Sequence, residues 1–412
     1  MRLLDTATAP SPQNPDCVRF EARFEVESLG QVLHYWFDFP EDLQSSQCKN
    51  GNPWLILMLP LACHFGEPIT IDRPVDRALA DNLKGLQQVW QSWYPELHIV
   101  DIHAKSIASA DRLHGPEAEE RRTISCFSGG VDSFFTLFRH LERAIGDGSS
   151  TIDDLLTIAG FNTPMEDFRQ QQKDLAPAAE KLGRRLIPVM TNIRYGAQPV
   201  ATPYSIEKSM IGYAHGPLLA AIVHMLEPRY KEFILPASHH FANLMPYGSH
   251  PLTDRLLSSA ELSVVHDGAS FARIERTQFI AQFDIALQTL HVCWQDYSRG
   301  NCSRCQKCLR TMAALDLLGA RDRAKSFDWT NYSIERLSHV WLTSVSDAKH
   351  YIEIAQVAEK LHRDEIVDAA YASVSFSNRK RALLKLINSN IVSRMAWQGL
   401  RAIRNEIATV SH

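Results

Sequence analysis

The chain lacks the marks of several large protein classes. Glycine (19) and proline (20) are too sparse in 412 residues for a collagen or a low-complexity chain. No apolar run approaches the ~20 residues of a membrane span; the longest, Trp54 to Cys63, contains Pro60. An excess of one charge is also missing. The 43 basic and 47 acidic residues leave a net charge of -4, which argues against a nucleic-acid partner held by bulk charge. The stretch before Pro15 has no apolar centre of the kind a secretory signal carries. A cytoplasmic location with no membrane partner is therefore expected. What is left is a globular chain, 45% apolar and 22% charged, with the length of two or three domains.

Residues 1–16, with Pro10, Pro12 and Pro15, are expected to form a flexible arm. An N-terminal α+β domain is expected over 17–115. Val18, Phe20, Ala22, Phe24 and Val26 alternate with charged residues there, the period of a half-buried strand. Further strands are expected over 31–37, 54–59 and 97–102. Val75, Leu79, Leu83, Leu86 and Trp90 form a helical stripe. A charged stretch with Gly115 and Pro116 closes this block. From Thr123 short apolar strands alternate with helical segments. That rhythm predicts an α/β fold, a doubly wound parallel sheet over 122–320 covered on both faces. A mostly helical C-terminal region follows over 321–412.

The first chemistry-bearing word is Ser128-Gly129-Gly130-Val131-Asp132-Ser133, between a strand and an amphipathic helix. Two glycines let an anion approach the backbone, and the helix N-terminus adds converging N–H groups and about half a positive charge. Ser128 and Ser133 can donate to phosphate oxygens. Asp132 can hold Mg²⁺ or fix the loop by accepting N–H bonds. The Walker pattern is absent. The second word is Cys293-x8-Cys302-x2-Cys305-x2-Cys308. In a reducing compartment, clustered cysteines read as metal ligands rather than disulfides. Four thiolates fill a tetrahedral Zn²⁺ shell and leave no position for a metal-bound water, so a structural Zn²⁺ is expected. An iron–sulfur cluster or a redox pair are the competing readings.

The Ser/Gly word resembles the PP-loop of the ATP pyrophosphatases, whose fold is of the adenine nucleotide alpha hydrolase type. With the four-cysteine set and the following Leu309-Arg310, the stretch from about Thr123 to Leu318 resembles the 7-cyano-7-deazaguanine synthase (QueC) family. The resemblance implies a ligase that cleaves ATP between the α and β phosphates and adenylates the carboxylate of 7-carboxy-7-deazaguanine. Ser128, Gly129, Gly130, Val131, Asp132 and Ser133 would form the pyrophosphate cradle. The long flanks set this chain apart from the housekeeping synthases, as do Phe161-Asn162-Thr163-Pro164 and Tyr247-Gly248-Ser249-His250-Pro251-Leu252-Thr253-Asp254-Arg255, which stand at two of their family motifs. It looks more like the extended QueC-like proteins of bacterial antiphage defence operons of the Qat and CBASS types. Some of those join the activated deazaguanine to the N-terminus of a partner protein.

An adenylate accepts any positioned amine, ammonia or a protein α-amine alike. The product is then an amide, a nitrile or a protein conjugate. Arg273 and Arg276 open a helix and are expected either to reach phosphate or to stand as surface arginines. His250, Asp254 and His266 lie near strand ends and are the catalytic candidates beside Asp132, with His250 or His266 as base for the amine; His239 and His240 are further candidates. Two other functions stay open. One is a tRNA-modifying PP-loop enzyme, which the Lys/Arg positions 379, 380, 381, 385, 394, 401 and 404 would serve. The other is a nucleotide-binding scaffold without turnover.

Overall fold

The computed structural model describes residues 1–108, 121–142, 151–161, 163, 165, 167–193, 211–295 and 300–389. Two compact units divide the chain: 1–301 with 323–326, and 302–322 with 327–412. The first unit is α/β. Its strands are β1 (Arg2–Pro10), β2 (Cys17–Val26), β3 (Gln31–Pro40), β4 (Ile69–Asp76), β5 (Ile102–Ala108), β6 (Arg122–Cys126), β7 (Asp154–Ala159), β8 (Arg185–Thr191), β9 (Tyr230–Pro236) and β10 (Ser263–Asp267). They form one sheet in the order β10-β9-β6-β7-β8-β3-β2-β1-β4-β5. From β10 to β8 every pairing is parallel. β6 lies between its successor β7 and the later β9, so the winding direction reverses there. In open α/β sheets that reversal leaves a crevice at the strands' C-terminal ends, where ligands bind.

Among the described residues the α-helices of this unit are α1 (Asn52–Phe65), α2 (Arg77–Trp93), α3 (Val131–Glu142), α4 (Phe168–Lys181), α5 (Ile211–His224), α6 (Arg273–Ile280) and α7 (Asp284–Thr289). The second unit is helical, with α8 (Gln306–Leu317), α9 (Ile334–Ser338), α10 (Val345–Lys360) and α11 (Asp364–Ser389). Side chains beyond residue 382 lie outside the described residues, and most of the basic stretch with them. No helix among the described residues is long and apolar enough to cross a membrane.

Three expectations about elements need correction. The arm over 1–16 contains β1, paired along its length with β2. The run 54–59 is helix, not strand: α1 is buried on every side from Asn52 to Cys63, so it carries no helical period for the sequence to show. The strand placed at 97–102 begins only at Ile102. The N-terminal block also adjoins the parallel block directly, because β3 runs antiparallel to β8 through Phe37↔Thr191 and Asp38↔Met190. The charged boundary stretch is largely outside the described residues.

Glu227, between α5 and β9, is fully buried. It accepts hydrogen bonds from Asn50 Nδ2 (3.0 Å), Asn52 Nδ2 (3.1 Å) and Ser259 Oγ, with His224 Nδ1 at 3.4 Å. Burial alone would raise its pKa. His224, Ser259 and Asn50 together outweigh burial and hold it at about 2. An unfolded glutamate titrates near ~4.3. The stabilisation is thus present above that value and is lost as pH falls through about 2. Roughly 3 kcal/mol is involved. Denaturant midpoints measured through this acid range should fall steeply in the parent and less steeply in Glu227→Gln.

Candidate functional site

The Ser/Gly turn sits where the sheet reverses. β6 ends at Cys126, and Phe127 N–H still bonds Leu156 O of β7 (2.8 Å). Gly129 then takes φ +75°, and α3 begins at Val131. Only glycine suits this turn. A Cβ on Gly129 would also stand 2.5 Å from Leu175 Cδ2 of α4. Gly130 O accepts from Phe134 N–H and from Ser133 Oγ, both at 3.0 Å, which closes the first helical turn. His291 N–H donates to Gly129 O (2.8 Å). The loop is thereby braced by the segment leading into Cys293.

Asp132, on the first turn of α3, meets α6. Its Oδ1 accepts from Arg276 Nη1 (2.7 Å) and its Oδ2 from Arg273 Nη2 (2.6 Å). The two arginines are one helical turn apart and so share a face. Burial pushes the Asp132 carboxyl up, but the two guanidinium groups outweigh it and hold it below the usual range. One carboxylate and two guanidinium groups leave a single net positive charge at a helix N-terminus. The arginines are not equivalent. Arg276 is 1% exposed; it also donates to Phe271 O (3.0 Å), Ala237 O and His239 O (3.4 Å), so it fastens α6 to the end of β9. Arg273 Nε is buried and has no hydrogen-bond partner among the described residues.

Next to this lies a group of rings that the sequence did not bring together. Phe161 after β7, His215 in α5, Tyr247, and His239 after β9 form a chain of ring contacts with centroids 5.1, 6.2 and 5.2 Å apart. Burial lowers the His239 pKa, with Arg273 and Arg276 adding to it, so the ring is neutral at pH 7.

The other catalytic candidates form a second cluster. Asp254, fully buried, accepts from Ser249 Oγ (2.7 Å), from His250 N–H (3.0 Å) and from His266 Nδ1 (2.7 Å). His250 stacks edge-on against Trp93 (4.9 Å) and its Nδ1 accepts from Leu252 N–H (3.0 Å). Burial and then the neighbouring His266 lower the His250 pKa, against the pull of Asp254.

The four predicted metal ligands converge. The sulfur atoms of Cys293, Cys302, Cys305 and Cys308 all lie within 4.8 Å of one another. Two separations are 3.5 Å (Cys305–Cys308) and 3.9 Å (Cys302–Cys308). A tetrahedron with metal–sulfur bonds of about 2.3 Å has edges of roughly 3.8 Å, so the set fits a metal such as zinc. Local geometry explains the convergence. Ser303 at φ +56° turns the chain so that Cys305 N–H bonds Cys302 Sγ (3.3 Å). Asn301, which sequence reading missed, accepts from the N–H groups of Val292 (2.9 Å) and Cys293 (3.2 Å) and donates to Leu290 O (2.7 Å). It fixes the backbone at the first cysteine.

No protein-family model matches the chain, and neither a curated protein nor a solved structure does.

Proposed function

We propose that this chain is an ATP-dependent ligase that adenylates a carboxylate, with the pyrophosphate end of ATP held in the Ser128–Ser133 turn. The observation that carries the reading is Arg273: a buried guanidinium N–H with no partner among the described residues, beside a glycine turn at a helix N-terminus. Leaving such a donor unpaired costs about 1–3 kcal/mol, and a phosphate oxygen would satisfy it. Arg276 is then the brace that fixes the pair, and Asp132 the carboxylate that positions both. Each Asp132 oxygen already accepts a guanidinium N–H, so Asp132 is not assigned as the Mg²⁺ ligand; Mg²⁺ arrives with ATP.

The chemistry follows from charge. A carboxylate oxygen attacks the α-phosphorus, the bond to the bridging oxygen breaks, and charge accumulates on the departing pyrophosphate. Preorganised backbone N–H groups and guanidinium dipoles stabilise that charge without reorganising. The ring group of Phe161, His215, Tyr247 and neutral His239 suits a flat heterocycle carrying the carboxylate, in keeping with 7-carboxy-7-deazaguanine. The metal knuckle supports the loop through His291 rather than joining the chemistry. A cytoplasmic role in bacterial antiphage defence, with an operon-encoded protein as amine donor, fits the resemblance to the extended QueC-like branch.

The test is ATP–pyrophosphate exchange. Labelled pyrophosphate should enter ATP only when 7-carboxy-7-deazaguanine is present. Nucleotide binding with no exchange on adding that acid would overturn the adenylation reading.

A further inference from the structure

We infer that His266, oriented by Asp254, is the base that takes the proton from the acceptor amine, an inference that rests on the adenylation reading above. The choice among the histidines is made by their hydrogen bonds. A carboxylate only accepts, so Asp254 Oδ2 at 2.7 Å requires Nδ1 of His266 to be the protonated nitrogen. The Nε2 lone pair is then open. That atom is buried and has no hydrogen-bond partner among the described residues, on a side chain 5% exposed. His250 and His240 are arranged the other way. Their Nδ1 atoms accept from Leu252 N–H and Ala242 N–H, so in the neutral ring Nε2 carries the hydrogen and has no pair to offer. At His239, burial first and then Arg273 and Arg276 of α6 oppose a gained proton.

Placement agrees with this role. His266 is one residue from the end of β10 and in register with Leu235 of β9. Ser125 of β6 is in register with Ile234. Cys126, next to Ser125, therefore stands level with His266 across three parallel strands, two residues before Ser128. Burial, with the field of Asp254 adding to it, pushes the Cys126 thiol up to about 12. Among the described residues, Asp254 from the turn Asp254–Leu257 bonds the His266 ring and His250 from the preceding loop is its electrostatic neighbour; Cys126 of β6 is level with it in the sheet. The facing side of β10 is different: Asp267, the next residue, bonds Thr136 and Arg139 of α3. Asp254 is a positioning residue with three donors holding it. An ammonium gives one proton to Nε2 and enters as a free amine; the C–N bond forms, the acyl–oxygen bond to AMP breaks, and the second proton, lost from the nitrogen as the amide forms, leaves on the phosphate of AMP.

The experiment compares two nucleophiles on the full-length protein supplied with ATP and 7-carboxy-7-deazaguanine. Glycinamide is largely protonated at neutral pH and needs a base. Hydroxylamine is already uncharged and does not. In His266→Gln the ratio of glycinamide transfer to pyrophosphate exchange should fall about 100-fold or more, while hydroxylamine transfer falls far less. Asp254→Asn should move the ratio in the same direction. In His266→Ala, added imidazole should restore part of the glycinamide transfer. Equal losses for both nucleophiles, or no loss, would overturn the assignment of His266. Absence of exchange in the parent would instead sink the adenylation reading, so the two failures are distinguishable.

Discussion

Cys308→Ser is expected to lose its metal and most of its nucleotide chemistry at once. Elemental analysis of the parent should give one zinc per chain, and the protein should be colourless; visible charge-transfer absorption would mean an iron–sulfur cluster instead. The stability effect should be large. Structural zinc contributes about 10–16 kcal/mol of apparent folding energy in small peptides, and Cys308 is fully buried. The functional effect follows from connectivity. Cys293 N–H donates to Asn301, the residue before Cys302, and His291, two residues before Cys293, donates its N–H to Gly129 O. Without the metal, the segment through Cys293 should loosen, and the brace under the Ser128–Ser133 turn should go with it. Chelation should therefore weaken ATP binding before the sheet unfolds. Titration with a chelator, followed by circular dichroism and nucleotide binding in parallel, checks the order. Coincident loss of both signals would contradict it.

Legibility in the sequence followed the range of the interactions. The Ser/Gly turn and the cysteine knuckle were readable because their geometry is made within a few residues. β2 was readable because its apolar residues alternate with charged ones, and from Phe20 to Val26 burial alternates with them. α1 was not, because a helix buried all round has no polar face to mark its period. β1 was hidden for the opposite reason: it is exposed along most of its length, with only Leu3 buried. Its strand state comes from pairing with β2, which the residues themselves do not announce. At the site, Arg273 and Arg276 could be proposed for phosphate, but their link to Asp132 spans more than 140 positions. The same holds for Phe161, His215, His239 and Tyr247, four ordinary residues until the sheet collects them. Asp254 and His266 were each suspected; that one orients the other is a tertiary fact.

Asp132 and its two arginines should separate positioning from binding. Asp132→Ala leaves two guanidinium groups with little solvent and no counter-charge. Removing one partner of a buried ion pair typically costs about 3–5 kcal/mol, so this variant should be both destabilised and inactive. The arginines should part company. Arg276→Met deletes bonds to three carbonyls as well as to Asp132; it should lower the melting temperature, with activity lost largely because α6 is no longer fastened to β9. Arg273→Gln deletes one bond to Asp132 and the Nε donor that has no partner among the described residues. It should melt close to the parent, yet pyrophosphate exchange should drop roughly 100- to 1,000-fold, the range seen when one preorganised donor to developing charge is removed. The contrast is the informative part, because a purely structural pair would lose stability from both sides. If Arg273→Gln exchanges pyrophosphate at the parental rate, the phosphate does not meet α6, and the single positive charge beside Gly129 has some other use.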